Sequence, residues 1–236
     1  MIERMEIFLM KSFVIALVML TLVMSGTAFA AAPKDKPDKK GILVVAFGTS
    51  MPEAKKAIDN LVDSTKKAFP DTEVRLAYTS NIIRRKIAKE QNLNIPTPTS
   101  ALAQMNDEGF THVYVMPMHI IPGEEYDDIA GLVNGFAAVK GKYEFRDLKL
   151  GSPYLSSAAD CDLMADILIK RFAKDLAKKN TVIVLMGHGT PHHAANAMYS
   201  QLKAAGYKDV RTFLVGLGED ADMARVYVSK IKDMMK

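Results

Sequence analysis

Ile42-Leu-Val-Val-Ala-Phe-Gly48-Thr49-Ser50 is an unbroken apolar run that stops at a glycine and two small hydroxyl residues, with Pro52 just beyond. A β-branched run of this kind, bounded by a turn, reads as a strand buried on both faces that leads into a helix. About 140 residues later the same order of residue types returns as Val182-Ile-Val-Leu-Met-Gly187-His188-Gly189-Thr190-Pro191, so two related α/β halves are expected. Between and around these runs the pattern alternates. Strands are expected at Ile42–Phe47, Glu73–Tyr78, His112–Met118, Asp147–Leu150, Thr181–Met186 and Val210–Val215. Helix-period segments separate most of them. Ser50 with Pro52 is expected to open the first helix, which would place Ala54, Ile58, Leu61, Val62 and Thr65 on one face. Thr97 with Pro98 opens another that Gly109 ends, and later helices are expected at about Glu124–Val139, Ser157–Lys178, His192–Ala205 and Asp220–Met235. The fold class is therefore α/β, with parallel sheets flanked by helices.

The chain has 236 residues, 49% of them hydrophobic and 25% charged, enough for a packed core. With 31 Lys plus Arg against 27 Asp plus Glu, the net charge of +4 and the lack of a long basic run argue against a nucleic-acid partner. Cys161 is the single cysteine, which excludes an intramolecular disulfide and a thiolate-rich zinc site. At the N-terminus, Lys11, the apolar run Phe13–Met24 and the small residues ending Ala28-Phe29-Ala30 form the three parts of a secretory signal peptide. The run falls short of the roughly 20 residues a membrane span needs, and an uncleaved anchor is the alternative. The expected organisation is a signal peptide over 1–30, a solvated Lys/Pro/Asp tether over 31–40, an N-terminal half over 41–145 and a C-terminal half over 146–236. Export places the protein in the periplasm where the cell has one.

In open parallel sheets the functional side chains gather past the carboxyl ends of the strands. Three histidines fall in Gly187-His188-Gly189-Thr190-Pro191-His192-His193. Glycines on both sides of His188 let a ligand approach its imidazole closely, and a neutral imidazole is both a divalent-metal ligand and a proton acceptor near pH 7. The plainer alternative is a hydrogen bond from His188 to a neighbouring loop. His192 and His193 open a helix, where surface or capping roles are commoner. His119 is the second candidate: Met116-Pro-Met-His119-Ile-Ile-Pro-Gly123-Glu124-Glu125-Tyr126 delivers it from a strand end into a glycine turn before an acidic helix start. Those acids also suit the helix dipole on structural grounds alone. His112, at the start of the same strand, is expected to be structural. Gly216-Leu-Gly218-Glu-Asp-Ala221 spells a dinucleotide fingerprint but has no strand and ribose-binding acid after it, and neither a phosphate loop nor a nucleophile elbow is present.

Ile42–Ser50, Tyr78-Thr-Ser80 with Ile82-Ile83-Arg84, Met118–Tyr126 and Met186–His193, taken in order, closely resemble the anaerobic sirohydrochlorin cobaltochelatases of the CbiK type. The likeness covers most of residues 40–200 and resumes at Gly216-Leu-Gly-Glu219. It implies two similar chelatase-like halves around a tetrapyrrole, with Co(II), or alternatively Fe(II), inserted into sirohydrochlorin without ATP on the way to cobalamin. Cobalt is then a substrate metal and no organic cofactor is needed. The resemblance makes His188 the catalytic histidine, both contacting the metal and accepting a pyrrole proton, with Phe47, Thr49, Ser50 and His119 lining the macrocycle's crevice. Family members add a strand bearing a glutamate and a Gly-Asp-His turn that supply two further metal ligands. Here no histidine follows His193, so the second half is expected to be shortened, with a stretch deleted between about Tyr199 and Gly206. A missing unit exposes apolar sheet surface, so a homo-oligomer is expected. A non-catalytic, exported carrier of metal or tetrapyrrole is the competing expectation.

Overall fold

The computed structural model describes residues 37–179 and 221–236. Four strands, β1 (Lys40–Ala46), β2 (Glu73–Tyr78), β3 (His112–Pro117) and β4 (Asp147–Leu150), form one parallel sheet in the order β2-β1-β3-β4. Among the described residues the α-helices that accompany them are α1 (Pro52–Ala68), α2 (Asn81–Gln91), α3 (Pro98–Asp107), α4 (Glu124–Ala137), α5 (Ala158–Leu176) and α6 (Ala221–Met234). The expected α/β class and its parallel pairing are what the sheet shows. The strands and helices expected across 181–215, with His188, His192 and His193, lie outside the described residues, as do residues 1–36. Among the described residues no helix is long and apolar enough to cross a membrane.

Alternation along β1 sorts the core. Ile42 and Val44 face one side, where Leu61 and Val62 of α1, Met164 and Ile167 of α5, and Met223, Tyr227 and Ile231 of α6 pack. Leu43 and Val45 face the other, against Ala101, Leu102 and Met105 of α3 and Ile129 and Val133 of α4. Both faces of the sheet are covered, which is why β1 tolerates no polar residue between Gly41 and Ala46.

Several local expectations need correcting. Ser50 does not cap α1: the cap position is Met51, which has no side-chain cap bond, and Pro52 begins the helix where its missing N–H costs nothing. Ala54 is exposed, whereas Leu61, Val62 and Thr65 are buried as the periodicity requires, with Thr65 Oγ1 donating to Leu61 O at 2.8 Å. Lys40 belongs to β1, and Asp38 and Lys39 are tied down instead of forming a solvated tether. Asp38 pairs with Arg146 at 2.6 Å, and Lys39 N donates to Thr111 Oγ1 at 2.9 Å. The boundary at 145/146 cuts this sheet, because β4 pairs in parallel with β3. Thr97 caps α3 as expected, accepting from Ser100 N at 3.0 Å.

The C-terminal helix returns to the N-terminal sheet. Tyr227 is fully buried, stacks on Tyr154 at 5.8 Å between ring centroids, and donates Oη–H to Met116 O at 2.9 Å. Lys230 Nζ reaches Ser152 Oγ and Asp160 Oδ1, both at 3.0 Å, and Ser156 Oγ donates to Asp160 Oδ2 at 2.7 Å. Burial pushes the Asp160 carboxyl up, but hydrogen bonds from Ser156, Lys230 and Ser157 and the Lys230 charge outweigh it and hold the group below its ordinary value. This clamp joins α6, α5 and the segment after β4.

Candidate functional site

Strand order places the crevice. The chain leaves β1 toward β2 on one side, and leaves β3 toward β4 on the other, so the gap between the carboxyl ends of β1 and β3 is a topological switch point. The turn Phe47–Ser50 follows β1 and the segment Met118–Gly123 follows β3, and Met118 N donates to Val45 O at 2.7 Å to bring the two together. Phe47, Thr49, Ser50 and His119 therefore share one edge of the sheet. His188 cannot be placed with them, since it lies outside the described residues.

Gly48 makes the first turn possible. Its φ of +101° is one that side chains rarely adopt, and a Cβ there would lie 2.5 Å from the Tyr78 ring at the end of β2. The turn that follows is held by Thr49 Oγ1, which accepts from Met51 N at 3.1 Å. Phe47 is left 48% exposed at the mouth. Gly48→Ala is expected to destabilise the full chain by about 2 kcal/mol, from backbone strain plus displacement of Tyr78, measurable by urea unfolding. A change below 0.5 kcal/mol, within the noise of ordinary surface substitutions, would contradict this turn geometry.

Around the same edge sit all the buried side-chain polar atoms that have no hydrogen-bond partner among the described residues: Tyr78 Oη, Thr79 Oγ1, both ring nitrogens of His119 and Tyr154 Oη. Tyr78 and Thr79 close β2, His119 follows β3 and Tyr154 follows β4. Buried polar atoms are paired almost everywhere in proteins, and each exception costs about 1–3 kcal/mol, so their gathering at one edge marks a place built for contact with something polar. Burial raises the Tyr78 hydroxyl, with the Asp59 charge adding to it, to about 12.

His119 is the residue of most chemical interest. Its side chain is only one-tenth exposed, and burial pushes its pKa down to about 4, so the imidazole is neutral at physiological pH. Nε2 lies 3.4 Å from Glu125 Oε2, in the first turn of α4. That carboxylate is half exposed, and its attraction does not offset the loss of water around the ring. The pair thus sets a neutral imidazole, whose lone pair is available to a cation, beside a half-exposed carboxylate, an arrangement able to meet a cation. His112, by contrast, is engaged at the far end of β3, with Nδ1 2.9 Å from Thr111 Oγ1, as befits a structural residue. No cluster of three or more His, Cys, Asp or Glu able to hold a metal ion occurs among the described residues.

No helix is expected from the sequence between Tyr78 and Thr97, yet α2 lies there. Ser80 caps it, accepting from Ile83 N at 3.4 Å, and Asn92 ends it in the left-handed conformation at φ 51°. Only Ile87 of α2 is fully buried, so its apolar stripe is too thin to reveal a helix by periodicity.

An α/β sheet with a polar crevice at its switch point defines a ligand-binding or catalytic α/β protein. The family model for cobalt chelatase (CbiK) matches residues 40–204, and the chain belongs to that family. The sirohydrochlorin cobaltochelatase CbiKC of Nitratidesulfovibrio vulgaris (strain Hildenborough) is 34% identical over 166 residues, covering 70% of this chain and 57% of that protein. The sirohydrochlorin cobaltochelatase of Salmonella typhimurium (strain LT2) is 33% identical over 157 residues, covering 66% of this chain and 57% of that protein. The matched region spans little more than half the length of either relative. A solved CbiX protein of Marinobacter aquaeolei VT8, ascribed to cobalamin (vitamin B12) biosynthesis, aligns with a TM-score of 0.41 at 14% identity, over 57% of this chain and 98% of that one.

Proposed function

We propose that this chain is a sirohydrochlorin cobaltochelatase, inserting Co(II) into the metal-free macrocycle without ATP or an organic cofactor. The observation that carries the proposal is the His119–Glu125 pair at the switch-point crevice, a neutral buried imidazole 3.4 Å from a carboxylate, in a chain of the cobalt chelatase family. Two relatives that bear the name sirohydrochlorin cobaltochelatase support the choice of substrate and metal.

Metal insertion exchanges two pyrrole N–H protons for one divalent cation. The protein therefore has to hold the ring, receive two protons and present the metal to the ring nitrogens. His188 is assigned the first proton and contact with the incoming metal, as the family resemblance implies. His119 holds a second neutral imidazole as a contact for the metal, and the half-exposed Glu125 carboxylate draws the cation in and passes the second pyrrole proton to solvent. Phe47, Thr49 and Ser50 meet the ring at the mouth of the crevice, just past the end of β1. Export to the periplasm, supported by the Lys11–Ala30 pattern, and assembly into a homo-oligomer belong to the same proposal.

The test is anaerobic mixing of the full chain with sirohydrochlorin and Co(II), followed by absorbance. Conversion to the metallated ring faster than in protein-free buffer is the expected result. A bound, spectrally shifted macrocycle with no faster insertion would make the protein a carrier.

A further inference from the structure

Ile82-Ile83-Arg84 is one of the runs that carry the family likeness, yet it has no part in the chemistry above. It lies in the first turns of α2, and α2 runs beside the Phe47–Ser50 turn. Ser80, which caps α2, donates its backbone N–H to Phe47 O at 3.1 Å, and Gln91 at the far end donates Nε2–H to Ser50 O at 3.2 Å. α2 is thus the wall of the crevice on the β2 side.

Arg84 is partly buried in this wall, and its guanidinium is fixed in place. Nε–H donates to Ile95 O at 2.7 Å and Nη1–H to Asn81 Oδ1 at 2.9 Å. Both acceptors are neutral, and among the described residues no carboxylate pairs with Arg84. A guanidinium carries five donors in a planar fork matched to a carboxylate, so an orienting pair of bonds to neutral oxygens leaves both its charge and further donors for an anion. The rest of α2 adds to the field: Arg85, Lys86 and Lys89 accompany Arg84, against Glu90 alone. Apolar surface lies at the same edge, where Phe47 is 48% exposed. A flat apolar body with carboxylates on its rim complements both features.

We propose that Arg84 is a specificity-determining residue that grips a peripheral carboxylate of a macrocycle lying against Phe47. The inference rests on the assignment of this crevice to sirohydrochlorin, whose ring carries acetate and propionate side chains around its edge. Arg84 does no chemistry at the metal; it selects carboxylated rings and orients them.

The experiment is an anaerobic absorbance titration of the full chain with metal-free sirohydrochlorin and, separately, with its methyl-esterified form. Parent, Arg84→Met and Arg84→Lys are compared, with circular dichroism as a check on folding. Arg84→Met is expected to weaken binding of the free acid roughly 10- to 100-fold, as loss of a charge-assisted pair would. Arg84→Lys recovers part of that loss by keeping the charge without the fork. The ester binds weakly to the parent and no more weakly to Arg84→Met. A folded Arg84→Met that binds the free acid as tightly as the parent overturns the proposal, and so does a parent that does not distinguish acid from ester; in both cases the site assignment stands. The ester comparison uses unaltered protein, so a parent that does not distinguish acid from ester overturns the proposal even if both variants misfold. A parent that binds neither ring overturns the site assignment and the role of Arg84 together.

Discussion

Tyr227→Ala is expected to lower the unfolding free energy of the full chain by about 4 kcal/mol, and Tyr227→Phe by about 1 kcal/mol. The large change removes a fully buried ring from between α6 and the sheet, together with its stack on Tyr154 at 5.8 Å. The small one removes only the hydroxyl that donates to Met116 O at 2.9 Å, at the end of β3 beside the crevice. Met223, Ala224 and Ile231 share the buried face of α6 with Tyr227, so the helix has few other anchors of comparable size. Urea unfolding measures both variants. Near-parental stability of Tyr227→Ala would mean that α6 does not dock on this sheet, and the crevice would then lack the support that α6 gives β3.

Acidification supplies the second large effect. The pKa of His119 is depressed by burial from 6.5 to about 4, so between those values the unfolded chain takes up a proton that the folded chain refuses. Stability therefore falls as the pH drops below 6.5, by about 2 kcal/mol at pH 5 and by about 3 kcal/mol near pH 4, where the contribution levels off. In His119→Gln, whose side chain cannot ionise, this part of the pH dependence is expected to vanish. Comparing the two proteins in metal-free buffer at pH 7 and pH 5 cancels the contributions of the carboxylates. Identical losses in both would show that His119 is solvated and not held neutral in the crevice.

How far the sequence could be read depended on the size of each element's apolar signature. Ile42–Ala46 is apolar on both faces, and the structure buries both faces, so the central strand and the parallel sheet were legible at once. Thr97 with Pro98 marks the start of α3 in the sequence and its hydroxyl makes the capping bond there, while Ser157, expected as the first residue of its helix, is instead the cap of α5. Ser50 resembles such a cap, but the turn set by Gly48 moves the cap position on to Met51 and gives the bonding role to Thr49. α2 was hidden because it buries a single residue fully, and with it went the wall that holds Arg84. The position of His119 at a strand end marked it as a candidate, but its isolation from other hydrogen-bonding groups and its approach to Glu125 depend on how three strand ends converge, which no local pattern encodes. The pairing of β4 with β3 is likewise a matter of topology, which a run as short as Asp147–Leu150 does not encode.

The most direct measurement is the initial rate of Co(II) insertion into sirohydrochlorin under anaerobic conditions, for the parent chain, for His188→Ala and for protein-free buffer. The parent is expected to exceed the buffer rate, and His188→Ala to fall back to it, because the neutral imidazole that takes the pyrrole proton and meets the metal is gone. A His188→Ala protein as fast as the parent, or a parent no faster than buffer, would contradict the assignment of this chain as a cobaltochelatase working through that histidine.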